Sequence, residues 1–303
     1  MNENTVQRIQ QLKEEKDVVI LAHYYVDGEV QQLADYVGDS YYLAKTATKV
    51  KEKSILFCGV SFMGESAKIL NPDKRVVMAD QYADCPMAHM VTPERIAEVR
   101  EEYDDVAVVC YVNSTAEIKA VSDVCVTSSN AIRVVSRLDA KNIFFVPDNN
   151  LGRFAAGQLP DKNFIFNDGF CHVHKSITVD NVLEAKKARP EAVVLTHPEC
   201  TMDVLEISDF IGSTSEIIEY AAKSNAKEFL ICTEMGVFFE LMQKNPDKKF
   251  YSVGHRQFCP NMKLVTLDKV VNALETMEPE VLLSPDIMEK ALVPLQRMLK
   301  LAE

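Results

Sequence analysis

A threefold internal repeat constrains this chain more than any other feature. The tripeptide Pro-Asp-Lys begins at Pro72, Pro160 and Pro246, which are 88 and 86 residues apart. Three further sets of residues keep the same two intervals: His23, Tyr111 and His197; Asp35, Asp123 and Asp209; and Ser40, Ser128 and Thr214. Because independent sets share both intervals, the chain consists of three copies of one unit.

Each copy alternates short apolar runs with helical patterns, which is typical of βαβ crossovers and parallel sheets. In the first copy the pattern predicts strands near 18–23, 36–38, 55–60 and 75–79, and helices near 29–35, 40–52, 64–70 and 93–103. The predicted fold class is therefore α/β, with three homologous αβα domains whose parallel sheets surround a pseudo-threefold axis.

The domains are expected at residues 1–88, 89–174 and 175–262. The segment 263–303 is expected to complete the first domain, because Lys263–Leu283 repeats the helix and strand that open each copy. A last helix is predicted to begin at Asp286 and to close the chain.

The charge balance limits the partners of the protein. Thirty-three Lys and Arg against 45 Asp and Glu give a formal net charge of −12, so neither nucleic acid nor an anionic membrane is an expected partner. No apolar run approaches the roughly 20 residues of a membrane span, and the charged N-terminus lacks the apolar segment of a signal peptide. We therefore expect a cytoplasmic protein whose eight cysteines stay reduced.

Polar residues stand at the end of the first strand in each copy. They form three equivalent pairs: His23 and Tyr25, Tyr111 and Asn113, and His197 and Glu199. The two members of a pair point the same way in an extended chain, and ligands of parallel sheets bind beyond the carboxyl ends of the strands. A single such residue is explained as well by local hydrogen bonding. Six at equivalent positions predict one site for acid–base chemistry and substrate binding.

Two further sets recur once per copy. Ser40, Ser128 and Thr214 stand where helices are predicted to begin, as plain N-caps or as an anion-binding cage built from three helix N-termini. Cys85, Cys171 and Cys259 follow the last strand of each copy. Three converging thiolates would form a soft metal site for an iron–sulfur cluster, zinc or copper(I). A [4Fe–4S] cluster normally takes four cysteines, so three would leave one iron open.

The motifs around these residues resemble those of the quinolinate synthase family, the iron–sulfur enzymes of bacterial NAD biosynthesis. The resemblance covers essentially the full chain. Its motifs are LAHYY from Leu21, GDS from Gly38, CPM from Cys85, YVNST from Tyr111, TSSNA from Thr127, PDxNLG from Pro147, GxCxVH from Gly169, HPEC from His197, GST from Gly212 and CxNM from Cys259.

The resemblance implies a transferase that condenses iminoaspartate with dihydroxyacetone phosphate, with L-aspartate oxidase as a functional partner that supplies iminoaspartate. It implies a [4Fe–4S] cluster held by Cys85, Cys171 and Cys259, with His174 close by. Tyr25 and Glu199 would transfer protons, with His23 and His197 as further catalytic candidates. The residues expected to bind substrate are His23, Ser40, Tyr111, Asn113, Ser128, His197, Glu199 and Thr214.

Two other functions share parts of this pattern. Hydroxymethylbutenyl diphosphate reductase and the diphthamide synthesis enzymes also take one cysteine from each of three domains, but they act on a diphosphate or a nucleoside-bearing substrate. A non-enzymatic iron–sulfur redox sensor would not require the ring of His, Tyr and Glu residues. The HPEC and GST motifs favour quinolinate synthase over the reductase and the diphthamide enzymes, and turnover of the two small substrates would separate an enzyme from a sensor.

Overall fold

The computed structural model describes residues 3–303 and contains three four-stranded parallel sheets. In every sheet the spatial order is second, first, third and fourth strand of the unit. The strands are β1 Val18–His23, β2 Tyr36–Gly38, β3 Ser54–Cys58, β4 Arg75–Met78, β5 Val106–Tyr111, β6 Val124–Val126, β7 Asn142–Val146, β8 Asn163–Phe166, β9 Val193–Thr196, β10 Phe210–Ile211, β11 Glu228–Cys232 and β12 Lys249–Ser252. The predicted α/β class with three parallel sheets is confirmed.

Helices connect the strands and cover the sheets. They are α1 Glu3–Lys16, α2 Gly28–Leu33, α3 Ser40–Ala47, α4 Ser61–Leu70, α5 Pro93–Glu102, α6 Ala116–Ala120, α7 Ala131–Ser136, α8 Asn149–Gln158, α9 His172–Lys175, α10 Val179–Ala188, α11 Met202–Glu206, α12 Thr214–Lys223, α13 Val237–Lys244, α14 Leu267–Thr276 and α15 Pro285–Leu301. Residues 1 and 2 of the predicted first domain lie outside the described residues.

The central strands of each sheet are apolar because both of their faces are covered. Every residue of β1 and of β3 is buried, and the two strands pair in parallel from Val18 opposite Ser54 to Ala22 opposite Cys58. Continuous runs of Val, Ile and Leu are the usual composition of strands covered on both sides. This packing places the carboxyl end of β1, with His23, at the edge of the first unit that faces the other two.

The repeated aspartates have a structural role that is the same in all three units. Each carboxylate accepts a hydrogen bond from a backbone N–H of the unit's first strand. The pairs are Asp35 with Ile20 at 2.8 Å, Asp123 with Val108 at 2.7 Å and Asp209 with Val194 at 2.8 Å. These residues recur because each fastens the segment before the second strand to the first strand.

The element bounds in the first unit follow the prediction closely, with two differences. Helix α4 begins at Ser61, three residues before its predicted start near 64. The helix predicted near 40–52 ends at Ala47. The Thr48 hydroxyl donates to the carbonyl of Lys45 at 2.8 Å, and the segment that follows holds Val50, a β-branched residue with modest helix propensity. The last turns of the predicted helix are therefore a loop.

The C-terminal segment returns to the first unit without forming a full strand. Helix α14 packs on α1, and the chain then forms a single antiparallel bridge between Glu280 and Val77 of β4. The N–H of Val281 donates to the carbonyl of Val76 at 2.8 Å. Helix α15 lies against α6 and β6 of the second unit and against α4 of the first. The domain bounds themselves stay a prediction.

One continuous apolar core serves the first two units. Helix α15 contributes Ala291, Leu295 and Met298 to it, all fully buried. The third unit has two smaller clusters, one of which includes Tyr24 of the first unit. The first unit therefore packs on the third through Tyr24, which directly follows the carboxyl end of β1. Within residues 3–303, none of the helices has the length and apolarity that crossing a bilayer requires.

Candidate active site

One cavity collects polar residues from all three units. It encloses about 700 Å³, including the solvent at its mouth. Its lining includes every residue that the sequence predicted for the site: His23, Tyr25, Ser40, Cys85, Tyr111, Asn113, Ser128, Cys171, His197, Glu199, Thr214 and Cys259. Because equivalent strands end at equivalent places, repeated positions along the chain become neighbours in space. The roles predicted for these residues are taken up below as proposals.

Two histidines present an N–H group to this cavity in the same way. The backbone N–H of Tyr25 donates to Nδ1 of His23 at 3.1 Å, and that of Glu199 donates to Nδ1 of His197 at 3.3 Å. A ring nitrogen that accepts a hydrogen bond leaves Nε2 to carry the proton of the neutral imidazole. Burial is the main cause that lowers the pKa of both side chains to about 3. Both rings are therefore neutral donors at Nε2.

The phenol of Tyr25 lies between two threonine hydroxyls of the third unit. Its oxygen is 2.7 Å from Oγ1 of Thr214 and 2.8 Å from Oγ1 of Thr233. Burial, followed by the negative charge of Glu199, raises the pKa of Tyr25 well above its usual value. The phenol therefore keeps its proton at neutral pH. Lys263 holds the backbone oxygen of Tyr25 through a 2.8 Å hydrogen bond.

Glu199 is buried, and both of its carboxylate oxygens have partners. Oε1 accepts from the hydroxyl of Tyr111 at 2.5 Å, and Oε2 lies 2.7 Å from Nδ1 of His174. Burial by itself raises the pKa of this carboxyl group. His174, His197 and Tyr111 outweigh burial and hold the pKa well below the usual range. Glu199 is therefore ionised although only 3% of the residue is exposed.

Thr233 joins these two groups and was missed by the sequence analysis. Its hydroxyl lies 2.8 Å from Nε2 of His174 as well as 2.8 Å from the Tyr25 phenol. A continuous hydrogen-bonded series therefore runs from Tyr25 through Thr233 and His174 to Glu199 and Tyr111. The available signal was position, because Thr233 directly follows β11 at the edge of the sheet where the other site residues lie.

Glu234, the next residue, was also missed by the sequence analysis, and its position just after β11 was again the available signal. It also lines the cavity, is 1% exposed, and accepts from the backbone N–H of Cys259 at 3.0 Å and of Gly236 at 2.5 Å. Its carboxylate lies 3.4 Å from Nζ of Lys263. Burial raises the pKa of Glu234, while Lys263 and the two backbone donors act against it. Glu234 therefore holds the backbone of one predicted metal-ligating cysteine and pairs with Lys263, which in turn donates to the backbone oxygen of Tyr25.

The hydroxyl residues predicted at helix starts line the cavity without serving as N-caps. The N-cap residues are Asp39, Asn130 and Ser213. Helix α7 begins at Ala131 rather than at Ser128, because Oδ1 of Asn130 accepts from the backbone N–H of Thr127 at 2.7 Å and closes a turn before the helix. The hydroxyl of Ser128 therefore faces the cavity from a turn. That of Thr214 is shared with Tyr25.

Three of the eight cysteines line this cavity as free thiols: Cys85, Cys171 and Cys259. Burial and the charge of Glu199 raise the pKa of Cys85 to about 12 and that of Cys171 well above its usual value. Burial likewise raises the pKa of Cys259. Such thiols become thiolates when a bound cation replaces their protons. The other five are fully buried and none of them lines this cavity: Cys58, Cys110, Cys125, Cys200 and Cys232.

A group of side chains able to hold a metal ion lies in the same cavity. Cys171, His174 and Glu199 each offer one ligand atom, and these atoms lie within 4.8 Å of one another. Sulfur, nitrogen and oxygen donors are thus brought together by two units. The fold and this site define an α/β enzyme whose polar cavity, lined by all three repeats, also offers ligands to a metal.

Comparisons with known proteins agree with that class and make it specific. The family model for the quinolinate synthetase A protein matches residues 7–300. A quinolinate synthase of Fusobacterium nucleatum is 55% identical over 295 residues, which are 97% of this chain and 98% of the relative. Another, of Clostridioides difficile, is 48% identical over the full length of both chains. A third, of Caldicellulosiruptor saccharolyticus, is 47% identical over 99% of each.

The chain therefore belongs to the quinolinate synthase family, as the motifs predicted, and it is a synthase of NAD biosynthesis. These matches give no support to the reductase, diphthamide or redox-sensor alternatives.

Proposed function

We propose that this chain condenses iminoaspartate with dihydroxyacetone phosphate to give quinolinate, one phosphate and two waters. The atoms of the two substrates balance those of the products, so the reaction requires no external oxidant or reductant. An L-aspartate oxidase in the same cytoplasm would supply iminoaspartate. One observation carries this proposal. The three thiols, the neutral imidazoles of His23 and His197, the phenol of Tyr25 and the carboxylate of Glu199 all line one cavity.

The thiols of this cavity fit an iron–sulfur cluster. Cys85, Cys171 and Cys259 would hold a [4Fe–4S] cluster, because they bring soft sulfur ligands from all three units. A bound cation can replace the protons of these thiols. A set of three cysteines leaves one iron without a cysteine ligand. When bound, the cluster would supply a Lewis acid for a substrate oxygen.

Tyr25 and Glu199 would transfer protons during ring formation. The raised pKa of Tyr25 keeps its phenol protonated, so Tyr25 is the proposed acid. The carboxylate of Glu199 is ionised and is the proposed base. A positioned acid or base contributes roughly 10²–10⁴ to a rate. Thr233 and His174 lie between the two groups and would keep both side chains oriented toward one substrate.

The remaining polar residues would bind the carboxylates and the phosphate. Nε2 of His23 and of His197 offers a neutral N–H donor, and the hydroxyls of Ser40, Ser128 and Thr214 add further donors around the cavity. These donors provide local attraction for anions within a protein of net charge −12.

Asn113 offers an acceptor to the substrate. Among residues 3–303, its buried Oδ1 has no hydrogen-bond partner. An imine or hydroxyl hydrogen of the substrate would satisfy this oxygen, since a buried acceptor left unpaired costs about 1–3 kcal/mol.

The test is anaerobic purification followed by quinolinate formation from the two substrates, together with iron and sulfide analysis. We expect quinolinate and about four iron and four sulfide per chain. Tyr25→Phe and Glu199→Gln should keep the iron and sulfide but lose roughly 10²–10⁴ in turnover. A wild-type protein with a full cluster that forms no quinolinate would refute the proposed reaction. Near wild-type turnover in both variants would refute the proton-transfer roles.

A further inference from the structure

Asn150 lies in the first turn of α8, in the second unit, and its side chain crosses to the third. Its Nδ2 donates a 3.1 Å hydrogen bond to the backbone oxygen of Glu199. Asn150 belongs to the PDxNLG motif, which has no role in the reaction proposed above. The bond therefore links a helix of one unit directly to the loop that carries the proposed base.

The junction between the first and third units has the equivalent link. Nε2 of Gln31 donates to the carbonyl of Val26 at 2.8 Å, within the loop that carries Tyr25, and to the carbonyl of Gly236 at 3.0 Å. Gly236 also approaches this loop so closely that a Cβ atom would lie 2.6 Å from Cα of Tyr25. At this junction one amide donor joins a site loop to the helix start of the neighbouring unit.

The junction between the second and first units repeats the arrangement. Lys119 is the repeat equivalent of Gln31 and is fully buried. Its Nζ donates to the carbonyl of Ser114, beside Asn113, and lies 3.5 Å from the carbonyl of Phe62 in the first unit. Phe62 is the repeat equivalent of Gly236. The same contact therefore occurs twice, with equivalent donors and equivalent acceptors.

At the third junction the direction of the bond is reversed. Leu205, the equivalent of Gln31 and Lys119, has an apolar side chain that cannot donate. Asn150 occupies the position equivalent to Phe62, whose backbone oxygen accepts in the second junction, and supplies the donor itself. The link to the loop of Glu199 is preserved, but here it depends on one partly exposed side chain.

The other polar atoms of Glu199 are already held. Its backbone N–H donates to His197, and its carboxylate is bonded to Tyr111 and His174. We propose that Asn150 is a positioning residue: by holding the backbone oxygen of Glu199, it fixes the position of the carboxylate relative to the substrate. This inference rests on the proposed function, because it assigns a role through the proton transfer of Glu199.

The experiment measures kcat and KM for quinolinate formation in variants at two adjacent residues. Asn150→Ala removes the donor, and Asn150→Asp removes it at nearly constant volume. We expect kcat to fall about tenfold to a hundredfold in both, because misplacing a reacting group by about 1 Å costs up to that much. KM, iron and sulfide content should stay within about twofold of wild type, as a measure of unchanged binding.

Two further variants separate positioning from a general structural role. Asn150→Gln keeps a side-chain amide donor and should retain more of kcat than Asn150→Ala. Asn149→Ala is the matched control, since Asn149 stands in the same turn and its side chain accepts from Arg153 at 2.5 Å instead. We expect this control to have the wild-type kcat.

Several results would overturn the positioning role. These are an unchanged kcat in both Asn150→Ala and Asn150→Asp, a rise in KM at constant kcat, or equal losses in Asn150→Gln and Asn150→Ala. A wild-type protein that forms no quinolinate would instead refute the proposed function. If the wild-type protein forms quinolinate and the Asn150 variants have the wild-type kcat, only the positioning role is refuted.

Discussion

Replacing Thr233 by Val removes the hydroxyl that lies between Tyr25 and His174. The side chain is fully buried, and Val has nearly the same shape, so the change leaves no cavity. The phenol of Tyr25 keeps its hydrogen bond to Thr214, whereas Nε2 of His174 loses the 2.8 Å contact to Thr233. The variant therefore isolates the effect of one hydroxyl inside the hydrogen-bonded series.

The size of the effect follows from this loss. Leaving a buried polar group unsatisfied costs about 1–3 kcal/mol in the free energy of unfolding. An unfolding entropy of about 2.1 cal/mol/K per residue gives about 0.6 kcal/mol/K for this chain length, so the Tm should fall by roughly 2–5 °C. Turnover should fall about tenfold, which corresponds to ~1.4 kcal/mol of transition-state free energy, because the proposed acid and base lose a shared support.

The assay combines thermal unfolding by circular dichroism with anaerobic quinolinate formation. The matched control is Thr196→Val: Thr196 is also fully buried, and its Oγ1 lies 2.6 Å from Oγ of Ser208, outside the cavity. We expect Thr196→Val to lose less stability, because the Ser208 hydroxyl keeps its 2.7 Å hydrogen bond to the carbonyl of Val204, and we expect only Thr233→Val to lose turnover. Equal turnover in both variants would refute the reasoning, as would an unchanged Tm for Thr233→Val.

Three other predictions concern the thiols, the hydroxyls and a close approach of backbones. Cys171→Ala should lose iron and sulfide, whereas Cys58→Ala, which changes a core residue, should keep them. A full complement in Cys171→Ala would contradict the ligand assignment. Ser128→Ala should weaken quinolinate binding by about 1–3 kcal/mol, and calorimetry that finds unchanged affinity would exclude an anion-binding role. Gly236→Ala should lower stability by about 1–3 kcal/mol through overpacking, because a Cβ there meets backbone atoms at 2.6 Å. Gly157→Ala, whose Cβ points into open space, should not, and the two Tm values check this.

Much of the fold could be predicted from the sequence because its signals are local. Apolar runs of five or six residues, such as β1 and β3, are long enough to identify buried strands without knowledge of their neighbours. The predicted bounds of α3 and α7 were wrong where a side chain forms a hydrogen bond with the backbone near the end of the helix. Thr48 ends α3 early, and Asn130 closes a turn that delays α7 beyond Ser128. These are contacts within three residues, which composition and periodicity do not resolve.

The position of each site residue on its own unit could also be predicted, but its partners could not. Repeat equivalence placed His23, Tyr25 and Glu199 at strand ends. It said nothing of the proton on Nε2 of the histidines, which depends on a backbone N–H two residues away. It also gave no reason to select Thr233, whose importance comes from Tyr25 in another unit.

The sequence alone thus determined the three repeated α/β units, their strand ends and the cysteine that each unit contributes to the cavity. Apolar periodicity within one copy identifies the strands, and comparison of the copies identifies the equivalent residues. Tertiary structure decided which residues of different copies touch. The contacts of Thr233 with Tyr25 and of Asn150 with Glu199 join residues 208 and 49 positions apart. Such contacts depend on how three separately specified units pack against one another, and on small departures from their symmetry. The physical reason is that hydrogen bonds form over about 3 Å, a distance that only the packed side chains of neighbouring units set.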